Sequence, residues 1–333
     1  MTAPCSTRRR LLARSVAIGG ANLLPALGRT QPTWPTRPIT IIAPNAAGGP
    51  ADTLARAITT SMGKALGTSV VVDNKPGASG KIGMLALLRA PRDGHTIAVT
   101  SVTAMSALPV FDPNVGYRSP GDFAPLSIAV RTPTVWCVNP ALGINDLRQL
   151  VDYARAHPDK LNYASFGTNS SSHLAQEDFF RQLNIRLTHV PFKGEAEGMN
   201  ALLSGQIQVQ MLSGAAKQQI EAGRLKALAT TTAKRWDLLP QIRTARESGL
   251  PELMNYAYEP WIGFAAANGV PQPILERLEK SVRAALQSPE AASSLKPLGY
   301  RIIASGAKEM RDAIEEDTAA YRVLLRSGRV RIE

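Results

Sequence analysis

The chain has 333 residues, 44% apolar and 19% charged, so it can bury a sizeable core and is not globally disordered. Its formal charge is +12, but five arginines and no acid fall in residues 1–29; the remaining +7 holds no Lys/Arg run and favours acidic solutes or surfaces over nucleic acid. Two cysteines, Cys5 and Cys137, exclude a disulfide framework and a cysteine-rich metal site.

Thr7-Arg8-Arg9-Arg10-Leu11-Leu12 opens the chain, a mildly apolar stretch follows from Ala13 to Leu27, and Ala26-Leu27-Gly28 puts small residues at the −3 and −1 positions of a cleavage site. That order is a basic region, a short apolar region and a small-residue exit, the layout of an export signal. The stretch is interrupted by Gly19, Gly20 and Asn22 and is too weakly apolar to span a bilayer. The arginine pair resembles the twin-arginine signal, with Ala13 where a Lys commonly follows. Residues 1–28 are therefore expected to direct export to the periplasm as a soluble protein. Cys5 precedes the apolar region and so cannot be a lipid anchor after it, and cleavage near Gly28 leaves Cys137 as the mature chain's cysteine.

After a proline-punctuated lead-in (Pro32, Pro35, Pro38), Ile39 to Ala43 reads as a strand. Leu54, Ile58, Met62 and Leu66 then recur along one helical face. Val70 to Val72 is a second strand, followed by a helix ending before Pro91, and Thr96 to Thr100 is a third strand. Further strands are predicted at 135–138, 161–164, 187–190, 207–212 and 227–231, with helices over 145–156, 172–183 and 196–204. A helix over 271–287, a short strand at 301–303 and a helix over 307–325 close the chain. Strands alternating with helices of this length predict an α/β fold with mostly parallel sheets covered by helices. Roughly 300 residues exceed one comfortable core, which favours two lobes. Asp122–Pro125 and Gly249–Pro251 are candidate crossings. The expected division is a discontinuous first lobe, 36–133 plus 251–333, and an inserted second lobe, 134–250.

The chemistry is concentrated in loops at the carboxyl ends of strands. Asn45-Ala46-Ala47-Gly48-Gly49 and Pro76-Gly77-Ala78-Ser79-Gly80 follow the first two strands, and Ser165 to His173 joins strand to helix mid-chain. Small residues admit close backbone approach, and helix starts present partial positive charge to an anion. Asp52 is expected to complement a helix start rather than touch ligand, and Ser172 or a nearby serine to act as an N-cap. No Gly-Lys-Ser/Thr phosphate loop, dinucleotide fingerprint or Gly-x-Ser-x-Gly elbow occurs. The histidines (His95, His157, His173, His189) lack metal-ligand spacing, and Glu195 and Glu197 lie two apart, on different helix faces. The reading is binding rather than catalysis, with no catalytic residue, no metal and no cofactor.

In this order the motifs resemble the periplasmic solute-binding proteins of tripartite tricarboxylate transporters, the Bug-type receptors. The landmarks are Gly48-Gly49, Asp52 and Leu54-Ala55-Arg56; Val72-Asp73-Asn74-Lys75-Pro76-Gly77-Ala78-Ser79-Gly80; Asp93-Gly94-His95-Thr96; Leu161-Asn162-Tyr163-Ala164-Ser165 with Ser171-Ser172-His173-Leu174; and His189-Val190-Pro191-Phe192-Lys193-Gly194. The resemblance spans about Pro38 to Gly328 and implies a type II periplasmic-binding fold, two lobes joined by hinge strands that close on a small organic carboxylate. It implies a di- or tricarboxylate or aromatic acid as ligand, membrane transporter subunits as partners, no nucleic acid, and a monomer. By motif match the ligand-binding positions are Asn45, Ala46, Ala47, Gly48, Ser79, Gly167, Thr168, Ser171, Ser172 and His173, with Thr103, Ala104 and Lys193 beside them. An alternative is an exported receptor that signals to a sensor or other partner without transport. The sequence departs from the family at Asn45, where an aromatic is common, and at Met211-Leu212-Ser213-Gly214, which lacks the acid many members carry. That absence points away from an amino-group ligand.

Overall fold

A computed structural model describes residues 34–328; the export-signal reading over 1–28, with Cys5, lies outside them. The chain begins as the periodicity predicts. Strand β1 (Ile39–Ala43) is buried at every position but Thr40, and α1 (Pro50–Leu66) buries Leu54, Ile58, Met62 and Leu66 along one face. Proline at its first turn suits a position that needs no N–H partner, and left-handed Gly67 closes it by donating to the Gly63 carbonyl. Next come β2 (Val70–Asn74), α2 (Lys81–Arg89), β3 (Thr96–Ser101), α3 (Leu108–Phe111) and β4 (Phe123–Arg131). The chain continues through β5 (Val135–Val138), α4 (Leu147–Ala156), β6 (Asn162–Ser165), α5 (Ser171–Gln182), β7 (Thr188–Pro191), α6 (Glu195–Leu203), β8 (Val209–Leu212), α7 (Lys217–Glu221) and β9 (Lys226–Thr230). It ends with β10 (Trp261–Ala267), α8 (Gln272–Leu286), α9 (Pro289–Leu295), β11 (Arg301–Ile302) and α10 (Ala307–Arg326). None of the described helices is long and apolar enough to cross a membrane.

Two mixed sheets organise these elements into two α/β lobes. One has the order β11-β4-β10-β3-β1-β2 and the other β7-β6-β8-β5-β9. In the first, β1 runs parallel to β2 and β3, while β10 lies antiparallel between β3 and β4. In the second, β6 runs parallel to β7 and β8, and β5 antiparallel to β8 and β9. Each sheet carries helices on both faces, with its central strands buried. Leu54, Ile58 and Met62 of α1 pack with Leu278 and Val282 of α8 on one side of the first sheet, and Met84 of α2 with Met310 and Ile314 of α10 on the other. The second sheet is covered by α4 and α5 on one side and by α6 on the other.

Two of these strands differ from the sequence reading. Phe123-Ala124-Pro125, read as a crossing, opens β4, the longest strand of the first sheet, and β10 carries no predicted strand. Both are covered on both faces, so Phe123 to Val130 and Gly263 to Ala267 are buried without interruption and show no polar alternation. The chain passes between sheets after Arg131 and returns between Tyr258 and Trp261. Leu250 and Leu253 are buried in the second sheet's core, with Tyr256 and Tyr258 packed against it. Residues 251–258 thus pack with the five-stranded sheet, where the sequence reading assigned them to the first lobe.

Candidate functional site

The parallel strands of both sheets end toward the crossings, so the loops after β1, β2 and β3 lie on the first lobe's side and those after β6, β7 and β8 on the second's. The crossings are tied to each other. Thr132 donates to the Pro260 carbonyl from its N–H (2.9 Å) and its hydroxyl (3.1 Å). The Thr231 hydroxyl donates to the Tyr258 carbonyl at 2.7 Å and lies 2.8 Å from the Thr134 hydroxyl.

In the first lobe, Asn45, Ala46, Ala47 and Gly48 are exposed after buried Pro44. Gly48 has φ +78°, and its N–H donates to Asp52 Oδ2 at 2.9 Å. Gly49 N–H donates to the Ala46 carbonyl, whereas the Ala46 and Ala47 N–H groups have no acceptor among the described residues. Asp52 is buried, which opposes its charge, but hydrogen bonds from Arg56, the Gly48 amide and Asn74 outweigh burial and hold the carboxyl below its usual range. Beside this loop Ala78 (φ +46°) and Ser79 (φ +53°) both adopt the left-handed region, a conformation that costs non-glycine residues of order 1 kcal/mol each.

In the second lobe, α5 is capped by Ser170, whose hydroxyl accepts the His173 N–H at 3.2 Å, so the N-cap falls one step before the candidates. The Ser172 hydroxyl accepts the Phe166 N–H at 3.1 Å, and His173 Nδ1 accepts the Asn169 N–H at 3.2 Å. The His173 ring stacks on His189 at 3.9 Å, and His189 Nε2 lies 2.7 Å from the Ser165 hydroxyl. Burial, and then the neighbouring His189, push the His173 imidazole down to about 3. Ser172 and His173 therefore face their own loop and brace it. Gly167, at φ +113°, meets the other lobe: a Cβ there lies 3.0 Å from the Ser79 hydroxyl.

Thr103 and Ser171, both proposed as ligand contacts, are bonded to each other across the lobes. The hydroxyls are 2.8 Å apart, and the Ser171 N–H donates to Thr103 Oγ1 at 3.0 Å. Ala107 and Phe111 pack on Leu174 of α5 beside them, covered by Tyr321, Leu324 and Leu325. Ala104 is buried in a wide helical turn over 103–107, with its carbonyl accepting the Tyr117 hydroxyl at 2.6 Å. Thr168 is half-buried and the Lys193 side chain exposed, while the Lys193 N–H donates to Glu197 at 3.3 Å.

Glu195, set aside in the sequence reading as half of a poor acid–base pair, has a partner that reading did not give it. Glu195 accepts both the N–H and the hydroxyl of Ser213 at 2.8 Å, so the 211–214 loop has a carboxylate after all, brought from the start of α6. Burial raises its pKa, and the two Ser213 bonds work against the rise. The 18-residue separation left no local signal for the pairing. Cys137 is fully buried in β5, and burial raises its thiol pKa. Among the described residues, no three His, Cys, Asp or Glu side chains are disposed to hold a metal. A cavity of about 480 Å³ lies at the crossings, lined by Tyr258, Trp261, Asp317 and Tyr321, and a groove of about 920 Å³ runs along α5 and β7 over His173 and His189. The Asn45–Gly49 loop and Ser79 line neither.

The family described as "Tripartite tricarboxylate transporter family receptor" matches residues 54–328. Among solved structures, the periplasmic binding protein BugD is 31% identical with a TM-score of 0.80, covering 88% of this chain and 98% of its own. Rpa4515 of R. palustris, solved with adipate, is 30% identical with a TM-score of 0.81, covering 88% and 97%. MatC of Rhodopseudomonas palustris, solved with bound malate, is 29% identical with a TM-score of 0.79, covering 87% and 99%.

Proposed function

The chain belongs to the tripartite tricarboxylate transporter family receptors, which are solute-binding proteins and not enzymes, and from that premise we propose that it is an exported receptor that captures a small organic carboxylate between its lobes and delivers it to membrane transporter subunits. The observation that carries the proposal is the pair of opposed small-residue loops: Ala46 and Ala47, with unaccepted N–H groups, on one lobe, and Gly167, whose φ of +113° favours glycine and which faces the Ser79 hydroxyl closely, on the other. Backbone N–H groups at helix starts suit an anion without needing a cationic side chain. The relatives solved with adipate and malate make a dicarboxylate the solute class to test first. The arginine-led segment before residue 29 supports export to the periplasm, and the remaining +7 favours encounter with anions.

Within this reading Asn45, Ala46, Ala47, Ser79, Gly167 and Thr168 contact the solute, and Ala104 and Lys193 border it. Gly48, Ser172 and His173 shape the two loops, and Thr103 with Ser171 holds the lobes together. Closure is a population shift that the solute drives by touching both lobes. A thermal-shift screen of the mature chain against dicarboxylates, tricarboxylates, aromatic acids and amino acids tests it. Ligand at 100 times its Kd adds about 2.7 kcal/mol of stability, and a shift with one carboxylate class is expected. A shift with amino acids or none with any acid counts against the proposal.

A further inference from the structure

The Asn45–Gly49 loop has one internal hydrogen bond, from Gly49 N–H to the Ala46 carbonyl, and is otherwise held from outside. The holder is Asp52, 3% exposed. Its Oδ2 accepts the Gly48 N–H at 2.9 Å, its Oδ1 accepts Asn74 Nδ2 at 3.0 Å, and Arg56 Nε lies 3.0 Å from both oxygens. The same Asn74 amide nitrogen donates to the Asn45 carbonyl at 3.0 Å.

This is not the geometry of a helix cap. Gly49 is the N-cap of α1 and Asp52 its third residue, so a reciprocal cap has the carboxylate accept the Gly49 N–H. Instead it reaches one residue further back, to Gly48, and leaves Gly49 to the Ala46 carbonyl. Nor is it what electrostatics alone selects, because a buried carboxylate beside an anion site repels the anion. The arrangement makes sense as preorganisation, which raises affinity by removing the ordering cost from the binding step.

We infer that Asp52 is the positioning residue of the first-lobe anion site: by taking the Gly48 N–H and, through Asn74, fixing the Asn45 carbonyl, it leaves the Ala46 and Ala47 N–H groups as the loop's donors to solute. The inference rests on the carboxylate-receptor reading above. Arg56 has a different part. Its side chain is 57% exposed, and it offsets the Asp52 charge without touching the loop backbone.

The test titrates adipate and malate by calorimetry into the wild type and into Asp52→Ala, Asp52→Asn, Asn74→Ala, Arg56→Ala and the Asp52→Ala/Asn74→Ala pair. Removing a negative charge next to an anion site strengthens binding if charge dominates, so a loss of affinity in Asp52→Ala reports geometry. A loss of tenfold or more is expected there, a smaller one in Asp52→Asn, which keeps one acceptor for Gly48, and less than threefold in Arg56→Ala. The double variant is expected to lose no more than Asp52→Ala alone. Hydrogen exchange of the unliganded variants is read in parallel, with faster exchange expected over 45–49 and none over the last turns of α1. Asp52→Ala affinity within twofold of the wild type, or unchanged exchange over 45–49, overturns the inference. If the wild type binds neither acid, the dicarboxylate reading fails, and the exchange result by itself decides the role of Asp52.

Discussion

His173 gives the account a pH dependence with a definite sign. Its ring is 2% exposed, stacked on His189 and Tyr163, with Glu177 and Arg181 further along the same helix and Nδ1 occupied as an acceptor of the Asn169 N–H. The folded protein holds the imidazole near 3, against 6.5 for a free one, so the folded state binds its proton later than the unfolded state does. Stability from this group is complete above pH 6.5 and is lost as pH falls toward 3. The gap between those values corresponds to about 5 kcal/mol when fully titrated, and about 2 kcal/mol of it is gone at pH 5. Urea unfolding of the wild type and of His173→Gln at pH 7 and pH 5 measures this. The wild type is expected to lose about 2 kcal/mol more than the variant between the two pH values. Equal losses refute the reasoning, because they place the acid sensitivity in other groups.

Four substitutions probe the rest. Gly167→Ala combines a strained φ of +113° with a Cβ 3.0 Å from the Ser79 hydroxyl; a loss of about 1–3 kcal/mol in urea unfolding is expected, together with weaker carboxylate binding. Thr103→Val strips Ser171 of its partner across the lobes, at a cost of about 1–3 kcal/mol, and small-angle scattering of the unliganded protein is expected to show a larger radius of gyration. Ser170→Ala removes the cap of α5 and is expected to cost about 1 kcal/mol in thermal unfolding. Leu174→Ala empties a fully buried position between the lobes; about 2–5 kcal/mol is expected from urea midpoints, and a loss under 0.5 kcal/mol contradicts the packing described.

The legible parts of the fold are those where one face meets water or a glycine punctuates. Leu54, Ile58, Met62 and Leu66 announce α1 because the opposite face holds Arg56, Thr60 and Lys64. Strands β4 and β10 are invisible to such a pattern, since both faces are covered and Pro125 looks like a loop residue. At the site, the small-residue loops stand out because composition reports backbone freedom directly. What composition does not report is direction. Ser172 and His173 follow the 165–170 loop but turn inward to Phe166 and Asn169, and Gly48 gives its N–H to Asp52. Contacts between distant elements are equally silent, which is why the Glu195–Ser213 pair and the Thr103–Ser171 bond emerge only from the fold.

The most direct test of the central claim is an amide NMR titration of the isotope-labelled mature chain with the dicarboxylate that stabilises it most. The largest shifts are expected at Ala46, Ala47, Ser79, Gly167 and Thr168, on both lobes together. Shifts confined to one lobe, or centred on the cavity of Tyr258, Trp261 and Asp317 at the crossings, contradict a solute site between the two loops.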